Sequence, residues 1–136
     1  MQPIARTILV VDDDADARRI ARTWLEGAGR RVFEAADGHE CLRLAHEQSP
    51  DLILLDLVLP DMDGWEAARE LRADPATASI PIMGLTGLSF PVLRKRAVEA
   101  GCDLVLTKPV SPTRLLQEID DLYDGTREPQ PRPSGA

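Results

Sequence analysis

The sequence predicts an α/β fold: five strand–helix repeats that build one parallel sheet between two helical layers. Three observations carry this expectation. Short apolar runs alternate five times with amphipathic stretches, the order that lays helices on both faces of a single sheet. The third run, "DLILLDLVLP" at residues 51–60, is apolar in both alternating phases, as a strand covered on both faces must be. Each run is followed by acidic, Gly or Pro residues that turn the chain.

Taken in order, Thr7–Asp12 reads as a buried strand. The helix after it carries Ala17, Ile20, Ala21, Trp24, Leu25 and Ala28 at inward helical spacing, with Asp14 as N-cap and Gly29 as stop. Arg31–Ala36 is a shorter strand, and Gly38–Gln48 a helix with Cys41, Leu42 and Ala45 inward. Asp51–Asp56 is the third strand. The turn "PDMDG" leads into a helix over Trp65–Arg72, and "DPATAS" is a loop. Ile80–Thr86 is the fourth strand, and Pro91 opens a helix that stops at Gly101. Leu104–Thr107 is the fifth. The last helix begins at Ser111-Pro112, with Leu115, Leu116, Ile119, Leu122 and Tyr123 on its inner face. Residues 1–124 therefore form one domain. Residues 125–136, "GTREPQPRPSGA", lack apolar anchors and read as a flexible Pro-rich tail or linker stub. Right-handed crossovers leave few arrangements, and the flavodoxin-like three-layer sandwich with strand order 2-1-3-4-5 is the one expected here.

Composition narrows the function. A net charge of −7 argues against direct nucleic-acid binding, which calls for a basic face. No apolar run reaches transmembrane length, and "MQPIARTILVVDDD" turns acidic too early for a signal peptide. The expected setting is the cytoplasm, with no membrane partner. Cys41 and Cys102 form no CxxC and read as reduced structural thiols. His39 and His46, both on the second helix, read as part of a solvated face.

The polar residues at the strand ends point to a site. The first strand ends in Asp12-Asp13-Asp14, the third in Asp56 and the fourth in Thr86, while the fifth leads into Lys108. In the expected order these share one edge of the sheet, where such folds bind ligands. Carboxylates gathered there raise one another's pKa values unless a cation neutralises them. A hard divalent ion with oxygen ligands, Mg²⁺ or Mn²⁺, answers that need. Acids, metal, lysine and hydroxyl together suit a phosphoryl group, with a carboxylate as nucleophile.

"ILVVDDD", "DLILLDLVLPDMDG", "IMGLTG" and "LTKPV" resemble, in order and spacing, the motifs of response-regulator receiver domains over residues 6–124. The resemblance implies that Asp56 accepts a phosphoryl group from a sensor histidine kinase or a histidine phosphotransfer protein. It implies that Asp13, Asp56 and the backbone carbonyl of Val58 bind Mg²⁺ directly, and Asp12 through water. Lys108 would contact the phosphoryl oxygens, Thr86 would hydrogen-bond them after modification, and the Lys108–Pro109 bond would be cis. The surface from Phe90 to Ala100 and the last strand and helix would change in response, so that an output domain or a separate downstream protein reads the switch. The chain would catalyse only its own phosphorylation and autodephosphorylation.

Three positions depart from that family. Val105 stands where an aromatic relay residue is usual, Gly87 where Ala is common, and Val110 where Phe is frequent. A backbone shift of Gly87-Leu88-Ser89, or an aromatic supplied by Phe90, would then carry the output. Two other readings stay open. A degenerate receiver could serve as a phosphorylation-independent scaffold. "DMDG" at residues 61–64 also resembles the nucleophile loop of haloacid-dehalogenase-type phosphatases, with Asp61 as nucleophile, although Trp65 replaces the Thr expected after it. An EF-hand reading of the same acids fails, because its first ligand position falls on Leu59 and no helix enters it.

Overall fold

The computed structural model describes residues 3–87 and 91–127. Five strands, β1 (Thr7–Val11), β2 (Arg31–Ala35), β3 (Leu52–Asp56), β4 (Ile82–Thr86) and β5 (Leu104–Thr107), pair in parallel in the order β2-β1-β3-β4-β5. The helices between and after them are α1 (Ala15–Gly27), α2 (Gly38–Gln48), α3 (Gly64–Ala73), α4 (Pro91–Ala100) and α5 (Pro112–Arg127). This is the expected (βα)5 sandwich. Its last helix continues to Arg127, past the boundary expected at Asp124, and residues 128–136 of the expected tail lie outside the described residues.

Strand alternation divides the core in two. Leu9, Val11, Ile53 and Leu55 meet Cys41, Ala45, Ala67, Leu71 and Ala97 on the side of α2, α3 and α4. Ile8, Val10, Leu52 and Leu54 meet Leu25 and Ile119 on the side of α1 and α5. Side chains two apart share a face of a strand, so Asp12 continues the phase of Ile8 and Val10, and Asp56 that of Leu52 and Leu54. Neither acid could stand mid-strand in such apolar company. Asp12 follows the last core residue of β1, and Asp56 closes β3 before Leu57 and Leu59 return to the core on the other face.

Local chemistry bounds the elements, with Asp14 and Gly29 in their expected roles. The Asp14 carboxylate caps α1 by accepting the N–H of Asp16, and that of Asp37 caps α2 by accepting the N–H of Glu40. Gly29, at φ 84°, turns the chain out of α1 in the left-handed region that glycine tolerates. Gly64 is needed for close approach: a Cβ there would lie 2.4 Å from Leu57 Cα.

One expectation fails on α1. Helical spacing points Ile20, Trp24 and Ala28 inward, yet Ile20 and Trp24 are 60% and 58% exposed, and Ala28, the C-cap beyond the last turn, is exposed as well. Ala17, Ala21 and Leu25, one helical turn apart in sequence, line the inner side instead, and Leu25 alone in α1 is buried. Ile20 and Trp24 flank that stripe, and with Val110, Pro112 and Leu116 they border an apolar groove of about 780 Å³ between α1 and α5.

Candidate functional site

The end of β1, the end of β3 and the residue after β5 meet at the carboxyl edge of the sheet. Ligand oxygens of Asp12, Asp13 and Asp56 lie within 4.8 Å of one another, with Asp12 and Asp56 buried and Asp13 exposed. The Lys108 ammonium reaches between two of them, donating to Asp56 Oδ2 at 3.1 Å and to Asp12 Oδ2 at 3.3 Å. The Lys108–Pro109 peptide is cis.

Backbone groups hold the acids in place. Asp56 Oδ1 accepts the N–H of Val58 at 2.9 Å, and Asp12 Oδ1 accepts that of Asp14 at 2.9 Å. Asp12 donates its own N–H to the Ala35 carbonyl. Thr86 is buried at the end of β4, one residue beyond Leu85, the register partner of Asp56, and its carbonyl accepts the Lys108 N–H at 2.7 Å. The Val58 side chain is 60% exposed, so its backbone and not its packing ties it to the site.

Burial pushes the Asp56 carboxyl above the ordinary carboxylate value; the Val58 N–H and Lys108 oppose that rise, and the Asp12 charge adds to it. For Lys108, burial acts to lower the ammonium's pKa, but the hydrogen bond and charge of Asp56, with Asp12 behind them, raise it overall. The charged form of the lysine is therefore favoured. Three carboxylates facing one ammonium leave the site short of positive charge. An all-oxygen donor set with spare negative charge fits Mg²⁺ or Mn²⁺.

Asp61 faces elsewhere. Its carboxylate accepts the N–H groups of Gly38 and His39 at the start of α2, at 2.8 and 2.9 Å, and meets His39 Nδ1 at 2.5 Å. These bonds outweigh the desolvation that opposes them and hold it down to about 2. A carboxylate so engaged has the wrong aim for a nucleophile beside Lys108. The histidines are exposed, as expected, yet each has an acid partner: His39 has Asp61, and His46 has Asp74 at 2.7 Å. Sequence reading missed these pairs, because each partner lies on another loop. Val105 is buried within the core, and the expected contributors Leu88, Ser89 and Phe90 lie outside the described residues.

Known proteins resemble this chain in sequence and fold. The model of the response regulator receiver domain family matches residues 8–120. The chain is 39% identical over 124 residues to the probable transcriptional regulator ycf27 of Cyanophora paradoxa, covering 91% of this chain and 51% of that one. It is 38% identical over 116 residues to the phosphate regulon transcriptional regulatory protein PhoB of Pseudomonas aeruginosa, covering 85% and 51%. It thus spans about half the length of these curated relatives. A CheY-like receiver domain protein from Methanospirillum hungatei superposes with a TM-score of 0.84 at 29% identity, covering 90% of this chain and 97% of that one. The receiver domain of the sensor histidine kinase PA1611 from Pseudomonas aeruginosa, solved with magnesium coordinated in its active-site cleft, superposes at 0.81 with 32% identity, covering 88% and 98%. On these grounds the chain belongs to the response regulator receiver domain family.

Proposed function

We propose that this domain accepts a phosphoryl group on Asp56 from a phosphohistidine of a sensor kinase or a histidine phosphotransfer protein, and so switches a protein-interaction surface. One observation supports it above the others: the Lys108 ammonium bridges Asp12 and Asp56 in a cluster of three acids that a single cation leaves undercharged. Asp13, Asp56 and the Val58 carbonyl would hold Mg²⁺, and Asp12 would hold it through water. Bound there, the ion supplies the positive charge that lets acids and phosphoryl oxygens share one cleft.

The chain's own residues do the rest. An Asp56 carboxylate oxygen forms the new P–O bond in line with the breaking P–N bond, and the imidazole leaves with its electron pair. Lys108 holds a charge close to the transferring oxygens, where its fixed position costs no reorganisation. After transfer, the Thr86 hydroxyl and Lys108 take up the new acceptor oxygens and bias β5, α4 and α5 toward a second arrangement. The domain through the end of α5 at Arg127 serves as the switch and the residues beyond it as the link to an output domain, or the switch acts on a separate protein. The phosphohistidine partner must bring its side chain into the cleft, so its body covers the ground beside it. The groove edged by Ile20 and Trp24 adjoins that cleft through Val110 and Leu115, which lie near Lys108 and Asp12, and it suits the apolar face of a helical donor.

Acetyl phosphate with Mg²⁺, followed by intact mass, tests this reading. A single phosphoryl adduct that vanishes in Asp56→Asn is expected. No adduct would leave the scaffold reading in its place. Multiple turnover of phosphate monoesters that survives Asp56→Asn would favour a hydrolase.

A further inference from the structure

Arg18 carries none of the roles assigned above, yet it is tied to the site from behind, through the Asp12 backbone. Its guanidinium, largely buried, donates through Nη1 to the Asp12 carbonyl at 2.6 Å and through Nε to Glu34 Oε1 at 3.2 Å. Glu34 in turn accepts Arg22 Nη1 at 2.8 Å. The hydrogen bond from Arg22, against the cost of burial and with help from Arg18, holds the Glu34 carboxyl below its ordinary range, so it stays ionised. An ionised Glu34 anchors the Arg18 fork.

The carbonyl that Arg18 grips belongs to the peptide joining Asp12 to Asp13. A peptide unit is planar, so fixing its oxygen orients the Cα atoms of both acids at once. Asp12 is also held by its N–H on Ala35 of β2. The pair is thus clamped from two elements, while both carboxylates remain turned to the cleft. We infer that Arg18 is a positioning residue for the divalent-cation site, acting through the Asp12–Asp13 peptide, with Glu34 as its anchor. This rests on the reading of that cleft as a cation site.

Two effects of Arg18 on a cation oppose each other. Its fixed geometry favours binding, whereas its positive charge disfavours it. Replacement by Lys keeps the charge and loses the planar fork, so the pair of variants separates them. Direct Mn²⁺ binding, read from the loss of the free-ion electron paramagnetic resonance signal and by Mg²⁺ competition, is the measurement. Both Arg18→Ala and Arg18→Lys are expected to weaken binding about tenfold, the range seen when groups behind metal ligands are removed. Adduct formation from acetyl phosphate at saturating Mg²⁺ should persist, which a general loss of structure would not permit. Glu34→Gln should show a smaller loss of the same sign, and it decides the matter should the Arg18 variants fail to fold by circular dichroism. Wild-type affinity in the folded variants, or full restoration by Lys, overturns the inference. So does a wild-type chain that binds no Mn²⁺. A wild type that binds Mn²⁺ but takes no phosphoryl group overturns the phosphoacceptor reading and leaves the role of Arg18 intact.

Discussion

The two edges of the sheet treat their carboxylates in opposite ways. Where the strands begin, acids are matched by donors. Asp51 accepts the N–H groups of Arg6 and Thr7. Asp103 accepts Arg72 and the N–H of Ile82. Asp120 takes both arms of the Arg30 guanidinium, at 2.6 and 2.8 Å, and the N–H of Ala5. Where the strands end, Asp12 and Asp56 share the Lys108 ammonium, with Asp13 clustered beside them. A buried charge is tolerable when its hydrogen bonds are complete and becomes a source of chemistry when they are not. The contrast separates acids that staple the fold from acids that await a ligand.

Four substitutions sharpen or break that contrast. The largest effect is expected at the stapled edge. Asp120→Ala strands a buried guanidinium and should lower stability by about 3 kcal/mol, measured by urea unfolding, while the folded fraction still forms the Asp56 adduct at the wild-type rate. Lys108→Ala should do the reverse. Adduct formation from acetyl phosphate should slow about 10²-fold, as when one preorganised charge-stabilising donor is lost, with little change in the urea midpoint.

Third comes Asp56→Asn without metal. The folded Asp56 carboxyl titrates above its unfolded value, near 3.9, chiefly because it is buried. Its contribution to stability is therefore complete below that value and is lost as pH rises through the folded one. An amide cannot ionise, so the variant should be more stable than wild type at neutral pH, by about 1 kcal/mol. The gap should close in acid and on adding Mg²⁺, as thermal melts across pH would record. Equal stability at every pH would place Asp56 among the matched acids. The smallest effect on folding is expected from Trp24→Glu, within about 0.5 kcal/mol for an exposed site. It should nonetheless slow phosphotransfer from a histidine phosphotransfer protein and leave acetyl phosphate uptake untouched.

Much of this was legible in the sequence, and the limits have physical causes. The apolar runs gave the strands, because a parallel sheet covered on both faces admits little else. Strand ends placed Asp12, Asp56 and Lys108 on one edge, since parallel order leaves no other place for them. Helix periodicity found the inner face of α1 but not its centre. Ala17, Ala21 and Leu25 point inward, and Ile20 and Trp24 share their spacing closely enough to be counted with them. Pairs such as Arg30 with Asp120, 90 residues apart, and Arg18 with Glu34 leave no local trace, because packing alone brings them together.

The Arg96 guanidinium of α4 lies over the Trp65 ring at the start of α3, 5.4 Å from its centroid. An indole's emission responds to a charge held against its face, so any sliding of one helix past the other is written into the protein's own fluorescence. With Trp24 replaced, the domain carries a single-wavelength gauge of that movement, needing no dye and no label.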